Sequence, residues 1–225
     1  MASWMIHLRV ADILLSRIDG LFEMEFVVGN LAPDSGVPNS DWSDFSPSPV
    51  ISHFKAENSE GRVTTCPEKY IASHFTKEMQ KSYTKEQFSF YLGYLVHLLT
   101  DVLWVRNTLP LCASKAPEEY SADPKGIVWK WKKDFFDLDA LYLIENPDFR
   151  AFRIYEGAKG FVNEYLDIFA PDAFDQKREY IVNFYRQERT DLHRDYVYFT
   201  KEEAERFVSF ASKEIERMLE KYIKR

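Results

Sequence analysis

The chain has 225 residues, 45% hydrophobic and 29% charged, with a formal net charge of −7. That length and balance predict one soluble domain over 1–225 with a sizeable core, and the acidic charge argues against a nucleic-acid duplex binder, which carries a basic field. The two cysteines, Cys66 and Cys112, lie far apart in no CxxC motif, so reduced thiols of a cytosolic protein are expected.

Helical periodicity dominates the chain. The first segment, MASWMIHLRVADILLSRIDG, has no charged block ahead of an apolar one, and Arg9, Asp12 and Arg17 interrupt its apolar residues. It does not read as a signal peptide, so a cytoplasmic location is expected. No run of about 18 uninterrupted apolar residues occurs, so no membrane span is expected. Residues 4–19 predict a helix with His7, Ala11, Leu14, Leu15 and Ile18 on one face. A short helix over 21–29 follows.

Residues 30–66 are rich in Pro, Ser, Asp and Gly and predict a long loop. Loops of that length are usually functional or disordered. This one carries Trp42, Phe45, Val50, Ile51 and Phe54, which predicts that it packs down. A helix over 67–82 begins at Pro67, and the capping box Thr84–Gln87 starts another over 85–106, with Pro110 beyond its end. An aromatic helix is expected at 124–145, shorter ones at 147–155 and 157–168, and one at 172–189 opened by Pro171. The capping box Thr200–Glu203 starts a last amphipathic helix with Phe207, Phe210, Ile215, Met218 and Ile223 inward. Only the short DYVYF at 195–199 alternates like a strand. The expected class is all-α, a multi-helix bundle with one long loop.

GYLVHLLTDVLW, residues 93–104, puts two polar side chains on an oily helix. Gly93, His97, Asp101 and Trp104 share one face, and Leu95, Leu98, Leu99, Val102 and Leu103 surround them. A buried lone carboxylate costs several kcal/mol or protonates, so an ionised Asp101 needs a cation. His97 and Asp101, at i and i+4, can share one metal ion, and Gly93 leaves room for a neighbouring chain segment. The competing reading is a His–Asp pair that plugs the core.

Other polar residues sit in apolar settings: His7 on the inward face of the first helix, Asp34 in GNLAPDSG, and His53 in VISHF. Each alone reads as a core histidine or a turn aspartate. Together with His97 and Asp101 they give three imidazoles and two carboxylates, a ligand set for zinc or a similar divalent ion, with enough groups for two ions. His74 and His193 read as structural or exposed. Arg9 and Arg106 are candidate phosphate contacts, though surface salt bridges suit them better.

MIHLRVAD, GNLAPDSG, SHF and GYLVHLLTDVLW, in that order over residues 4–104, resemble the bacterial zinc-dependent phospholipase C family, related in fold to the P1-type nucleases. The resemblance implies an all-α fold, a zinc cluster in a cleft between helices, and hydrolysis of phosphodiester bonds. It implies that His7, Asp34, His53, His97 and Asp101 are metal ligands. Asp101 resembles the bridging carboxylate, and Asp34 also resembles the group that orients or deprotonates the attacking water. Secreted members use an amino-terminal tryptophan as a ligand, whereas Trp4 here is internal. The family's third zinc takes two histidines and a glutamate downstream of HxxxD, and no HxxxE occurs here. Asp134 and Asp137 are the possible substitutes, with a solvated acidic patch beside Lys132 and Lys133 as the alternative. One or two zinc ions are expected, not three. The expected activity is hydrolysis of a small phosphoester or a phospholipid headgroup by activated water, with a non-catalytic, metal-stabilised helical binding domain as the alternative.

Overall fold

The computed structural model describes residues 1–41, 43–59 and 61–223; Trp42, expected to pack down, lies outside them. The protein is all-α. In chain order the helices are α1 (Trp4–Leu15), α2 (Glu23–Leu31), α3 (Pro49–Ser52), α4 (Pro67–His74), α5 (Lys77–Ser82), α6 (Lys85–Lys115), α7 (Pro117–Ala122), α8 (Ile127–Glu145), α9 (Arg150–Gly157), α10 (Ala173–Arg186) and α11 (Lys201–Leu219). A 3-10 turn, Ala32–Asp34, follows α2 directly.

The sequence places most of these elements, and the departures have local causes. The expected helix over 67–82 breaks after His74, because Thr76 is extended and its hydroxyl caps α5 by accepting from Met79 N. The helix expected to end near residue 106 runs to Lys115, with Pro110 inside it. Pro110 removes the N–H that would reach the Arg106 carbonyl, and both residues are exposed, so water meets the freed group. No helix forms over 158–168. Asn163 takes those backbone groups instead: its Nδ2 donates to Leu166 O and Phe169 O, and its Oδ1 accepts from Tyr165 N and Leu166 N.

The long loop holds two small antiparallel ribbons that were not expected. β1 (Val37–Pro38) pairs with β2 (Phe45–Ser46), and β3 (Lys55–Glu57) pairs with β4 (Val63–Thr65). The loop packs down at Phe54, whose ring meets Tyr70, His74 and Tyr94 edge-on. Val50 and Ile51, expected to join it, are exposed. On α11, Ala204, Phe207, Val208, Ala211, Ile215 and Leu219 are buried at helical spacing, while Phe210, expected inward, is exposed.

α1 is the central helix and is buried on nearly every side. α2 crosses α6 where two glycines let backbones touch. A Cβ on Gly93 would stand 2.1 Å from Phe26 O, and one on Gly29 would stand 2.2 Å from Phe90 O. Trp104 then locks α6 to α8 and α11, with its ring edge-on to Phe135, Phe199 and Phe207. α6 is long and apolar enough to cross a membrane by length and composition, but 83% of its most apolar window is buried inside the protein.

Candidate metal centre

The five residues chosen from sequence come together at the middle of α6. His7 lies on the first turns of α1, Asp34 closes the 3-10 turn after α2, His53 follows α3, and His97 and Asp101 stand one turn apart on α6. Four of the side chains are fully buried, while Asp34 keeps 10% of its side chain exposed. Asp101 faces three imidazoles. Its Oδ1 is 3.5 Å from His7 Nε2, and its Oδ2 is 3.5 Å from His53 Nε2 and 3.7 Å from His97 Nε2. Asp34 Oδ1 lies 3.3 Å from His53 Nε2, and the Nε2 atoms of His53 and His97 are 3.3 Å apart.

Backbone and hydroxyl groups outside the cluster aim these donors. The Asn30 carbonyl stands 2.7 Å from His97 Nδ1. A carbonyl only accepts, so Nδ1 carries the proton and Nε2 presents a lone pair to the cluster. That carbonyl is in place because the Gly29–Gly93 crossing brings α2 onto α6. Ser52 Oγ stands 3.0 Å from His53 Nδ1, and the Ser52 carbonyl accepts from the Tyr94 hydroxyl. The indole N–H of Trp4 donates to Asp34 Oδ2 at 2.9 Å, and Ala2 N donates to Asp101 Oδ1 at 2.9 Å. Behind that strand of contacts, Asp139 accepts from the Ser3 hydroxyl at 2.9 Å and from the Tyr185 hydroxyl at 2.8 Å.

The donor set fits a divalent cation. Both ring nitrogens of His7 and the Oδ2 of Asp101 are buried without a hydrogen-bond partner. Each such orphan costs about 1–3 kcal/mol in a protein interior. The rings of His7 and His97 stack nearly parallel at 3.8 Å. Like rings held so close with free lone pairs are what a shared cation stabilises. Two overlapping triplets, His7–His97–Asp101 and Asp34–His53–His97, each have ligand atoms within 4.8 Å of one another. One imidazole nitrogen binds one ion, so His97 serves one triplet or the other, whereas the two oxygens of Asp101 can serve two ions.

The charges agree with this reading. Burial pushes the Asp34 carboxyl up, but the hydrogen bond from His53 and the fields of His97 and His53 outweigh it, so Asp34 ionises well below the usual carboxylate range. Burial also opposes Asp101, and His7, the amino terminus and His97 together overcome it. Burial, reinforced by His7, pushes His97 down to about 3. The centre therefore holds two carboxylates beside a neutral His97 at neutral pH, the protonation states that metal ligands need.

No family model, curated protein or solved structure matches the chain.

Asp134 and Asp137, weighed as further ligands, lie outside the centre. Arg194 Nη2 stands 2.8 Å from Asp134 Oδ1 and 2.8 Å from Asp137 Oδ2. Asp134 also accepts from the backbone of Tyr198 and Phe199, and Asp137 pairs with Lys133 and Arg189. They are salt-bridged and mostly buried, not a solvated patch. His193 is exposed, and His74 stacks on Tyr70 away from the cluster. Arg9 makes the expected salt bridge, with Glu205 at 2.6 Å, but it is buried and lies over the Tyr142 ring. Both cysteines are free thiols.

Asp34 and His53 open onto a cavity of about 640 Å³. Phe45, Trp129 and Phe136 are among its apolar walls, and Lys132 and Lys177 line it as well. Sequence reasoning passed over both lysines, and also Asn30 and Asp139. Lys132 reads as part of a charged run in WKWKKD, and only the α8–α10 packing turns it toward the cavity. Asn30 acts through its carbonyl, which carries no side-chain signal.

Proposed function

We propose that the protein is a metal-dependent hydrolase of phosphoric esters with zinc as its metal, built like the phospholipase C and P1-type nuclease enzymes that its four sequence blocks resemble. The observation that carries the reading is the buried His7–Asp34–His53–His97–Asp101 cluster with unpartnered lone pairs, open at one side to a cavity. Three imidazoles and two carboxylates suit zinc better than magnesium or calcium, which prefer oxygen ligands alone. His7, His97 and Asp101 would hold one ion, and Asp34 and His53 would complete a second with an Asp101 oxygen.

Zinc bound at such a centre would supply hydroxide at neutral pH and would offset charge on phosphoryl oxygens. Asp34 is the carboxylate that both belongs to the cluster and reaches the cavity. Trp4 holds its Oδ2 and leaves Oδ1 facing inward, so it is the residue positioned to take the proton of the attacking water. Asn30 fixes the His97 tautomer, Ser52 orients the His53 ring, and apolar side chains flank the centre on its cavity side.

The second reading is a metal-stabilised binding module without turnover. The Arg194 clamp on Asp134 and Asp137 favours it, since it takes away the two carboxylates that were the candidate substitutes for further metal ligands. Elemental analysis and turnover of bis(p-nitrophenyl) phosphate with added zinc separate the two. The hydrolase reading expects bound zinc, turnover, and loss of both in His97→Ala. A zinc-loaded protein inert on a broad phosphoester panel leaves the binding module, and a protein that takes up no metal ends both readings.

A further inference from the structure

Lys132 on α8 and Lys177 on α10 line the same cavity as Asp34. Among the described residues neither has a carboxylate within salt-bridge distance. Several other buried or part-buried basic groups of this chain are paired: Arg9 with Glu205, Lys115 with Glu203, Arg178 with Asp175, and Arg194 with two aspartates. What Lys132 and Lys177 touch instead are aromatic faces. Lys132 Nζ lies 4.4 Å from the centre of the Trp129 ring, and Lys177 Nζ lies 5.5 Å from Trp4 and 5.4 Å from Tyr180. Ring faces stabilise an ammonium less than a carboxylate does when it is drawn out of water.

We propose that Lys132 and Lys177 form an anion subsite that holds the phosphate dianion of a phosphomonoester, with the apolar organic group of that ester against the Trp129 and Phe136 wall. Three features carry this. Two unpaired cations from different helices face one cavity. The negative group they share it with, Asp34, meets His53 and Trp4 and forms no salt bridge with either lysine. The remaining wall is largely aromatic and apolar, with Phe45, Trp129, Phe135 and Phe136 among its residues. Burial pushes both lysines down and the field of Asp34 draws them back up, so a phosphate bound beside them strengthens their charge as they bind it. The subsite discriminates by net charge: a dianion meets two ammonium groups, whereas the quaternary ammonium of a zwitterionic ester such as phosphocholine offsets part of that attraction.

The proposal sharpens the hydrolase reading and rests on it for the reaction, but the binding event stands separately. The test is calorimetric titration with phenylphosphonate, a dianion that is not hydrolysed, and with phosphocholine, in zinc-loaded and chelator-treated protein. Phenylphosphonate is expected to bind at least tenfold more tightly than phosphocholine. Lys132→Gln and Lys177→Gln should each weaken it about tenfold or more at unchanged melting temperature, and Lys132→Arg and Lys177→Arg should retain it. Unchanged affinity in both Gln variants, or phosphocholine binding as tightly as phenylphosphonate, overturns the subsite. Zinc content and turnover read the parent hypothesis independently. Lysine-dependent binding in a protein that takes no zinc keeps the subsite and removes the hydrolase. Zinc-dependent turnover with lysine-independent binding does the reverse.

Discussion

Gly93→Ala adds one methyl group at the α2–α6 crossing. Its Cβ would meet Phe26 O at 2.1 Å and Asn30 N at 2.9 Å, both backbone atoms of a helix. Neither can rotate away, so the helices must separate by about 1 Å to restore an ordinary contact, and overpacking of this kind costs about 1–3 kcal/mol, sometimes more. Alanine recovers about 1 kcal/mol through helix propensity. A net loss of about 1 kcal/mol lowers Tm by roughly 2–4 °C in a protein of this size. The same opening moves Asn30 O away from His97 Nδ1, so zinc affinity should fall along with stability. Gly157→Ala is the control, because nothing lies within 4 Å of its would-be Cβ and its φ is not in the left-handed region. Thermal unfolding and a zinc chelator competition read both effects. A Gly93→Ala protein as stable as the parent, with unchanged zinc affinity, refutes the close crossing as the device that positions His97.

Ser52→Ala removes the hydroxyl that partners His53 Nδ1, and a lost partner of this kind weakens metal binding about 10- to 100-fold; chelator competition reads it at unchanged secondary structure. Arg194→Met leaves the Asp134 and Asp137 carboxylates short of their shared cation and should cost about 3 kcal/mol of stability, since removing one partner strands buried charge; zinc content should be unchanged, which separates these aspartates from the centre. Asp139 provides a pH test. Burial pushes it up to about 7 against the pull of Tyr185, Ser3 and nearby arginines. A carboxyl raised in the folded state stabilises below its unfolded value and loses that contribution as pH rises through the folded one. The Tm of Asp139→Asn minus that of the parent should therefore increase from pH 4 to pH 7 and level off above it, and a flat difference would contradict the buried neutral acid.

The five clustered residues were legible because each broke a local rule: a charged or ring-nitrogen side chain on an apolar helix face, or an acid and a histidine at the two ends of a loop too long to be idle. Helix starts were legible wherever a capping box wrote them, as at Thr84 and Thr200. Helix ends were less so. Pro110 reads as a stop in sequence, but an exposed helix face tolerates it. Asn163 reads as an ordinary residue, but its four hydrogen bonds replace a helical turn. The lysines of the cavity were missed for a different reason. A cation's partner, or the lack of one, belongs to tertiary packing, and residues 132 and 177 are brought to one wall only when α8 and α10 are in place.

Asp34 and His53 are also the two ends of a clasp. Between them run Gly36, Phe45, Pro47 and Pro49, which form one wall of the cavity, and among the described residues no helix longer than α3 stiffens that stretch. An ion held by both Asp34 and His53 would therefore close the wall as well as the centre. Stripping it with a chelator should make residues 35–52 the first place a protease cuts, while α1, α2 and α6 resist. If the centre takes zinc as proposed, metal occupancy would set the shape of the cavity and so decide which molecules fit it.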